Sequence, residues 1–421
     1  MNNKEMIPID YEVNQIYENR KTKYENLLLK DDTKVFENYG SCKNVLEDVY
    51  KNVNSFSKEQ DEINNEINNE INNKKVLVIM PTHNEENIIG KSINSIFTQT
   101  HVNTTLLVIL DNCTDNTEKI VSIYRKSTNN NMIIYKSKNN KYKKAGAINQ
   151  AFDLIAQSKY KYDYALVMDA DTVLDKEAIR NGVKFLINNI DHGAVCSKAG
   201  IIKPDKRNLL WHLQNIEYGA FDSERNETKT KIKVCHGMFS LYRKETLDEI
   251  YKRGFLYDIK NITEDYEITL ELKKLKYKVS TDFSIKAYTE VPSTLKELFI
   301  QRVRWLKGGI DALKKHGYKK YTSSDINSHI LFVFIFILQI FLIINSILVG
   351  KLAISYVTYV ILTLSFIDSM LRLKYITHKN KVTYLIAFTA ILPILYSWFN
   401  IFTLLCSYIC SLFRIKIGWR N

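Results

Sequence analysis

The chain has 421 residues and a formal net charge of +13, so at roughly 150 residues per unit it should hold two or three folded units rather than one. Its 45% hydrophobic content hides a polar front and an apolar back, where eight basic residues and one acidic lie from Ile330 onward beside long uncharged runs; a purely soluble protein is excluded. The six cysteines are scattered without a CxxC pair, which argues against a zinc site or a disulfide framework and fits a reducing compartment.

Residues 1–73 are rich in Asn, Lys and Glu and end in three copies of Glu-Ile-Asn-Asn starting at Glu62, Glu66 and Glu70, a low-complexity stretch that reads as a linker. An apolar residue at every fourth position drifts around a helix, so no coiled coil is expected. Residues 1–30 contain no apolar core of a signal peptide. From Lys74 the texture changes. Short apolar runs over Val76–Met80, Leu106–Leu110, Met132–Tyr135 and Tyr164–Met168 alternate with helical spacing over Glu86–Phe97 and Ala145–Ala156. That alternation predicts βαβ units and a parallel sheet, with ligand chemistry just beyond the carboxyl ends of the strands.

Those ends are polar. Pro81-Thr82-His83-Asn84-Glu85 follows the first run, Asp111-Asn112 the second and Asp169-Ala-Asp171 the fourth. The glycines form neither GxGxxG nor a P-loop, which disfavours dinucleotide binding and ATP hydrolysis of the usual kinds. Two carboxylates one residue apart can hold a hard divalent cation, which in turn binds a diphosphate. Alone, the same pair reads more readily as a helix N-cap with an acidic neighbour.

Three uncharged runs follow. Ile330–Val349 is 20 residues long with only Gln339, Asn345 and Ser346 polar, and matches the ~20 residues of a spanning helix. Leu352–Ile367 reaches that length only by including Asp368 and the residues up to Leu371. Val382–Phe413 has 32 residues and reads as an interfacial helix, Val382–Leu392, a break at Pro393, and a span, Ile394–Phe413. Arg372, Lys374, Lys379 and Lys381 assign their loop, and with it the domain before the first span, to the cytoplasm by the positive-inside rule. The basic tail Arg414–Arg420 prefers the same side, which an odd number of spans forbids, so the count stays open at about three.

As a set, Pro81-Thr-His-Asn-Glu85, Leu110-Asp111-Asn112, Lys144-Ala-Gly-Ala-Ile-Asn149 and Asp169-Ala-Asp171 resemble the nucleotide-sugar half of family 2 glycosyltransferases with the GT-A fold. Cys235-His-Gly-Met-Phe-Ser-Leu-Tyr-Arg243, Thr263-Glu264-Asp265 and Gln301-Arg-Val-Arg-Trp305 extend the resemblance to the membrane-embedded branch of cellulose, hyaluronan, chitin-oligomer and poly-N-acetylglucosamine synthases. The resemblance runs from about Lys74 to the C-terminus. It implies an α/β chain: a Rossmann-like, nucleotide-sugar-binding GT-A domain over 74–320, then a C-terminal α-helical transmembrane region over 328–421. The expected location is the cell membrane, multi-pass, with the catalytic domain cytoplasmic.

By the resemblance, Pro81, Thr82, Asn84, Glu85 and Asp111 line the uridine site, with Asp111 accepting from the uracil edge. Lys144 pairs with the diphosphate, Asp169 contacts ribose or metal, and Asp171 ligates Mg2+ or Mn2+. Asp265 is the expected general base, with Glu264 the alternative. Gln301, Arg304 and Trp305, on the amphipathic stretch Leu295–Leu306, would meet acceptor and diphosphate, and Trp211, Phe239 and Tyr242 would line the acceptor path. His83 receives no role. In-line attack opposite the leaving UDP inverts the anomeric centre, so an α-linked UDP-sugar gives a β-linked product.

The resulting expectation is an inverting, metal-dependent β-glycosyltransferase that builds or extends a polysaccharide. Tyr288-Thr-Glu-Val-Pro-Ser-Thr-Leu-Lys-Glu-Leu is most like the poly-N-acetylglucosamine side, which puts UDP-N-acetylglucosamine ahead of UDP-glucose as donor. About three helices make a poor pore, so an exported polymer would need a second copy or a partner chain to complete the channel. The alternative is a non-processive transferase acting on a saccharide, lipid or other membrane-proximal acceptor. A catalytically silent scaffold is disfavoured by the intact Asp169, Asp171, Asp265 and Arg304. A nucleic-acid binder is disfavoured because basic residues beside spans are explained by topology and by anionic lipid.

Overall fold

The computed structural model describes residues 65–66, 68–127, 131–158, 160–203, 207–228, 232–348, 363, 366–367, 369–389, 391–415 and 417. The four apolar runs form β1 (Val76–Thr82), β2 (Thr104–Leu110), β3 (Met132–Lys136) and β4 (Tyr164–Val167). These strands pair in parallel, β3 on β2 on β1 on β4. Between them run α1 (Ile89–Phe97), α2 (Thr117–Ser127) and α3 (Lys143–Gln157). β1 is buried along its whole length. Val76, Val78 and Met80 enter one hydrophobic core and Leu77 and Ile79 the other, as the two-residue period of a strand dictates for a sheet covered on both faces.

The rest of the sheet comes from β5 (Thr172–Leu174), β6 (His192–Ile201), β7 (Ser240–Arg243) and β8 (Lys278–Thr289). With them stand α4 (Ala178–Asn188), α5 (Leu209–Thr228), α6 (Lys244–Tyr251) and α7 (Glu264–Lys274). The order is β3-β2-β1-β4-β7-β6-β8-β5. The expected parallel sheet is corrected to a mixed one, because β7 runs antiparallel to both β4 and β6. The loop entering β7 already lies at the carboxyl end of β4, where Asp169 N–H donates to Gly237 O at 2.9 Å, so the strand can only run back. β2 lies to one side of β1 and β4 to the other, which opens a crevice outside the carboxyl ends of β1 and β4.

The last Glu-Ile-Asn-Asn repeat is helical over 68–73 and docks on the domain. Ile71 is buried in the core, and the Arg180 guanidinium of α4 donates to the side-chain oxygens of Asn68 and Asn72 at 2.7 and 2.8 Å. The linker reading of residues 1–64 lies outside the described residues.

Among the described residues the helices that follow include α8 (Leu295–His316), α9 (Ser323–Leu348), α10 (Lys381–Thr389) and α11 (Ile391–Leu412). The amphipathic stretch predicted to end at Leu306 continues for ten more residues, to His316. It is capped by Thr294, whose hydroxyl accepts from Glu297 N, while Glu297 Oε2 accepts from Ser293 N. α9 covers the first predicted span and carries exposed apolar side chains such as Ile330, Phe334, Ile337 and Phe341. Among the described residues one helix, α11, is long and apolar enough to cross a membrane. Pro393 does not separate two helices there. It lies within α11, which runs through it. The second predicted span, Leu352–Leu371, lies almost wholly outside the described residues.

Candidate active site

Three loops meet in the crevice. Asn84 and Asn112 both take the left-handed conformation, φ 54° and 50°, which Asn tolerates better than most residues. Asn84 Oδ1 accepts from Thr114 N–H at 2.8 Å, and Glu85 N–H donates to Thr117 Oγ1 at 2.7 Å, so the end of β1 is laced to the loop after β2. His83 Nδ1 lies 2.6 Å from Asp111 O, a further tie between the two strand ends. Pro81 and Thr82 are buried, and the Thr82 hydroxyl donates to Met80 O, so these two build the wall rather than reach into the crevice.

Asp111 is held more tightly than its sequence context showed. Its Oδ1 accepts from Ser137 Oγ at 2.6 Å, Asn140 Nδ2 at 2.9 Å and Asn112 Nδ2 at 3.1 Å. Among the described residues nothing donates to Oδ2. A buried carboxylate locked on one oxygen leaves the other in a fixed direction to accept from an N–H.

At the end of β4, Lys144 from α3 bridges two carboxylates: its Nζ is 2.6 Å from Asp169 Oδ1 and 2.7 Å from Glu264 Oε1. Burial works against the ammonium, but Asp169, Glu264 and Asp265 outweigh it and hold the lysine well above its usual range. Glu264 and Asp265 open α7, where an acidic first turn complements the helix dipole. Glu264 is buried and committed to Lys144, whereas Asp265 is partly exposed and, among the described residues, its carboxylate accepts only from the backbone N–H of Tyr266 at 2.8 Å. Burial, then the charge of Glu264, push Asp265 up to about 6. Burial, then Asp169 and Glu290, push Asp171 up to about 7. An oxygen-only donor set at Asp169 and Asp171 is of the chemical type that suits Mg2+ or Mn2+.

A second acidic cluster does not. Glu267, Glu271 and His316 bring ligand atoms within 4.8 Å of one another, but Lys315 pairs with Glu267 and Asp258, and Arg253 with Glu271 at 3.1 Å. Burial opposes the Glu267 charge, yet His316 and Lys315 hold it down to about 2. These ion pairs fasten α7 to α8.

The Gln-x-x-Arg-Trp segment lies on α8. Gly308, one turn beyond Arg304, packs against the cap of α7 so closely that an added Cβ would stand 2.5 Å from Thr263 Oγ1 and Cγ2. Arg304 and Trp305 are partly exposed, and the charge of Arg304 is felt at Lys143, whose ammonium is pushed down first by burial and then by that arginine. The intervening Arg302, which sequence reasoning passed over, is 4% exposed; it donates from Nε and Nη2 to Glu217 of α5 at 3.2 and 2.5 Å. Its guanidinium also lies over the Trp305 ring, 4.5 Å from the centroid, while Gln301 Oε1 accepts from its Nη1. Trp211, Phe239 and Tyr242 are core residues, buried and not on an open acceptor path; the Trp211 indole donates to Ile202 O at 3.0 Å.

Gly237 was quoted within a motif but given no role. A Cβ there would meet Asp169 Oδ2 at 2.5 Å and Lys144 Nζ at 3.0 Å, and its carbonyl is fixed by Asp169 N–H. Gly237→Ala should therefore displace the Asp169–Lys144 pair, at about 1–3 kcal/mol of overpacking. The expected result is metal-dependent UDP binding weakened about tenfold or more by calorimetry. Unchanged affinity would mean that the contact relaxes without moving Asp169.

Comparison with known proteins bears on the family and the fold. Residues 77–251 match the sequence model of glycosyl transferase family 2. The poly-beta-1,6-N-acetyl-D-glucosamine synthase of Staphylococcus aureus strain MSSA476 is 28% identical over 245 residues, covering 56% of this chain and 55% of the relative. The synthase of the same name from Staphylococcus epidermidis is 24% identical over 293 residues, covering 69% and 66%. The chain thus spans about half the length of the S. aureus relatives it matches. Among solved structures, a mannosyltransferase from Pyrobaculum calidifontis in complex with GDP-Man and Mn2+ shares the fold. Its TM-score is 0.52 at 15% identity, over 82% of this chain and 88% of that one. Over residues 77–251, this chain therefore resembles glycosyl transferase family 2.

Proposed function

We propose that the protein is an inverting, metal-dependent β-glycosyltransferase that uses a UDP-sugar at the cytoplasmic face of a membrane to build or extend a polysaccharide. UDP-N-acetylglucosamine is the first choice of donor, from the named relatives, and UDP-glucose the second. The observation that carries the reading is the Lys144 bridge, which draws the carboxylates after β4 and those opening α7 into one cluster. The exposed apolar faces of α9 and α11 support membrane attachment.

In this reading Asp111 Oδ2 accepts from the uracil imide, and the pocket rejects bases that lack that donor. Asp171, with Asp169, would hold Mg2+ or Mn2+; a divalent ion so held offsets charge on a departing diphosphate. Lys144 fixes Asp169 and leaves Asp265, which makes no ion pair among the described residues, to take the proton from the acceptor hydroxyl. Arg304 and the partly exposed Trp305 meet diphosphate and acceptor from α8.

The test is protein in nanodiscs with Mg2+ or Mn2+ and a panel of labelled UDP-sugars, reading UDP release and product size. A long ladder from one donor supports a polymerase, short products support a non-processive transferase, and no release from any donor rejects the reading. Asp171→Ala should weaken Mn2+-dependent UDP binding at least about tenfold. Equal UDP affinity with and without Mn2+ in the wild type would remove the metal role.

A further inference from the structure

A cavity of about 680 Å³ opens beside Glu264 and Lys144, between the loops before α3 and α7, helix α8 and the C-terminal turn of α11. Seven of its lining side chains are Lys or Arg and two are carboxylates. Lys144 is engaged by Asp169 and Glu264, and Asp311 is shared between Lys307 and the Ser411 hydroxyl. A strong positive surplus remains. A donor diphosphate would draw on the inner end, at Lys143 and Lys144, and its charge is already offset if a divalent ion sits at Asp171. The outer end, at Lys260, Lys314 and Arg414, pairs with no carboxylate among the described residues.

That outer end has two further features. Its rim is apolar, formed by Leu412, Ile415 and Ile417 at the end of α11. Arg414 also stands in the left-handed region, φ 54°, and Ile415 N–H donates back to Cys410 O at 2.9 Å, a helix ending in which glycine is usual at the left-handed position. A long cation kept where glycine fits better is the kind of outlier that accompanies a functional constraint. It turns the chain back so that Ile415 and Ile417 reach the cavity.

We propose that the outer half of this cavity binds the phosphate of an anionic membrane-lipid headgroup, beside the donor site but separate from it. The proposal rests on the reading of α11 as a membrane helix. The cations supply the recognition of phosphate, and the apolar rim selects a lipid over a free ion.

The test uses the full chain in detergent with two probes, a fluorescent short-chain phosphatidylglycerol and labelled UDP with Mn2+. Arg414→Gly removes a cation while giving the turn the residue it favours, so folding is not put at risk. Lys260→Gln removes one from an exposed loop. The expected result is saturable lipid binding by the wild type, about fivefold weaker in each variant, with UDP binding and thermal midpoint unchanged. Equal lipid affinity in all three proteins, or no saturable binding, overturns the proposal. Inorganic phosphate competing as well as the lipid does would identify a free anion as occupant and overturn the lipid assignment. Loss of UDP binding in the wild type counts instead against the donor site and leaves the lipid measurement to be judged by itself.

Discussion

Replacing Asp265 by Asn is expected to lower turnover about a thousandfold, the size of effect a lost general base produces, with UDP binding retained. The side chain keeps its volume and its acceptor oxygen for Tyr266 N–H, so the start of α7 should stay in place. What is lost is proton affinity. In the wild type, burial and Glu264 bring Asp265 up to about 6, and a base works only when ionised. The rate kcat/KM should therefore hold above that pH and fall about tenfold per unit as pH drops through it. Asp265→Asn should flatten this limb along with the rate. Wild-type turnover in the variant would remove the assignment. Glu264 would then be tested next, although its bond to Lys144 predicts that Glu264→Gln disturbs UDP binding and turnover together.

The second large effect is on stability. Glu217 accepts from Arg302 twice, from the Tyr396 hydroxyl at 2.8 Å and from Asn400 Nδ2 at 3.2 Å, so one buried carboxylate joins α5, α8 and α11. Burial opposes the Arg302 charge, but Glu217 more than restores it and raises the guanidinium further. Glu217→Ala strands that charge, at a cost of about 3–5 kcal/mol. Against a total stability of roughly 5–15 kcal/mol, the thermal midpoint in detergent should fall steeply or the protein should fail to accumulate. Glu217→Leu combined with Arg302→Met removes both charges and should recover most of the loss. A single variant as stable as the wild type would show that water or lipid already reaches the pair.

The first half of the domain was legible because β1 to β4 are continuous apolar runs, each closed by polar residues that land in the crevice. β6 and β8 were not, since Lys198, Asp282 and Lys286 interrupt strands whose pairing is set by tertiary contact. The roles of Asp169, Glu264 and Asp265 could be named from motif order, but Lys144 as their common partner needed the fold, because Glu264 is 120 residues away in sequence. Arg302 was hidden in a position the motif leaves open. A signal did exist: Glu217 interrupts the apolar face of Leu210–Tyr218, and a carboxylate on such a face needs a buried partner.

The contact of Gly308 with Thr263 also has a mechanical meaning. α8 packs along α11 on one side and against the cap of α7 on the other, with no room for even a methyl group at the second contact. The start of α7, which carries Asp265, therefore has no slack relative to α8. Any tilt of α11 that α8 follows is delivered to Asp265 as a displacement, as by a rigid lever whose short arm ends at Thr263.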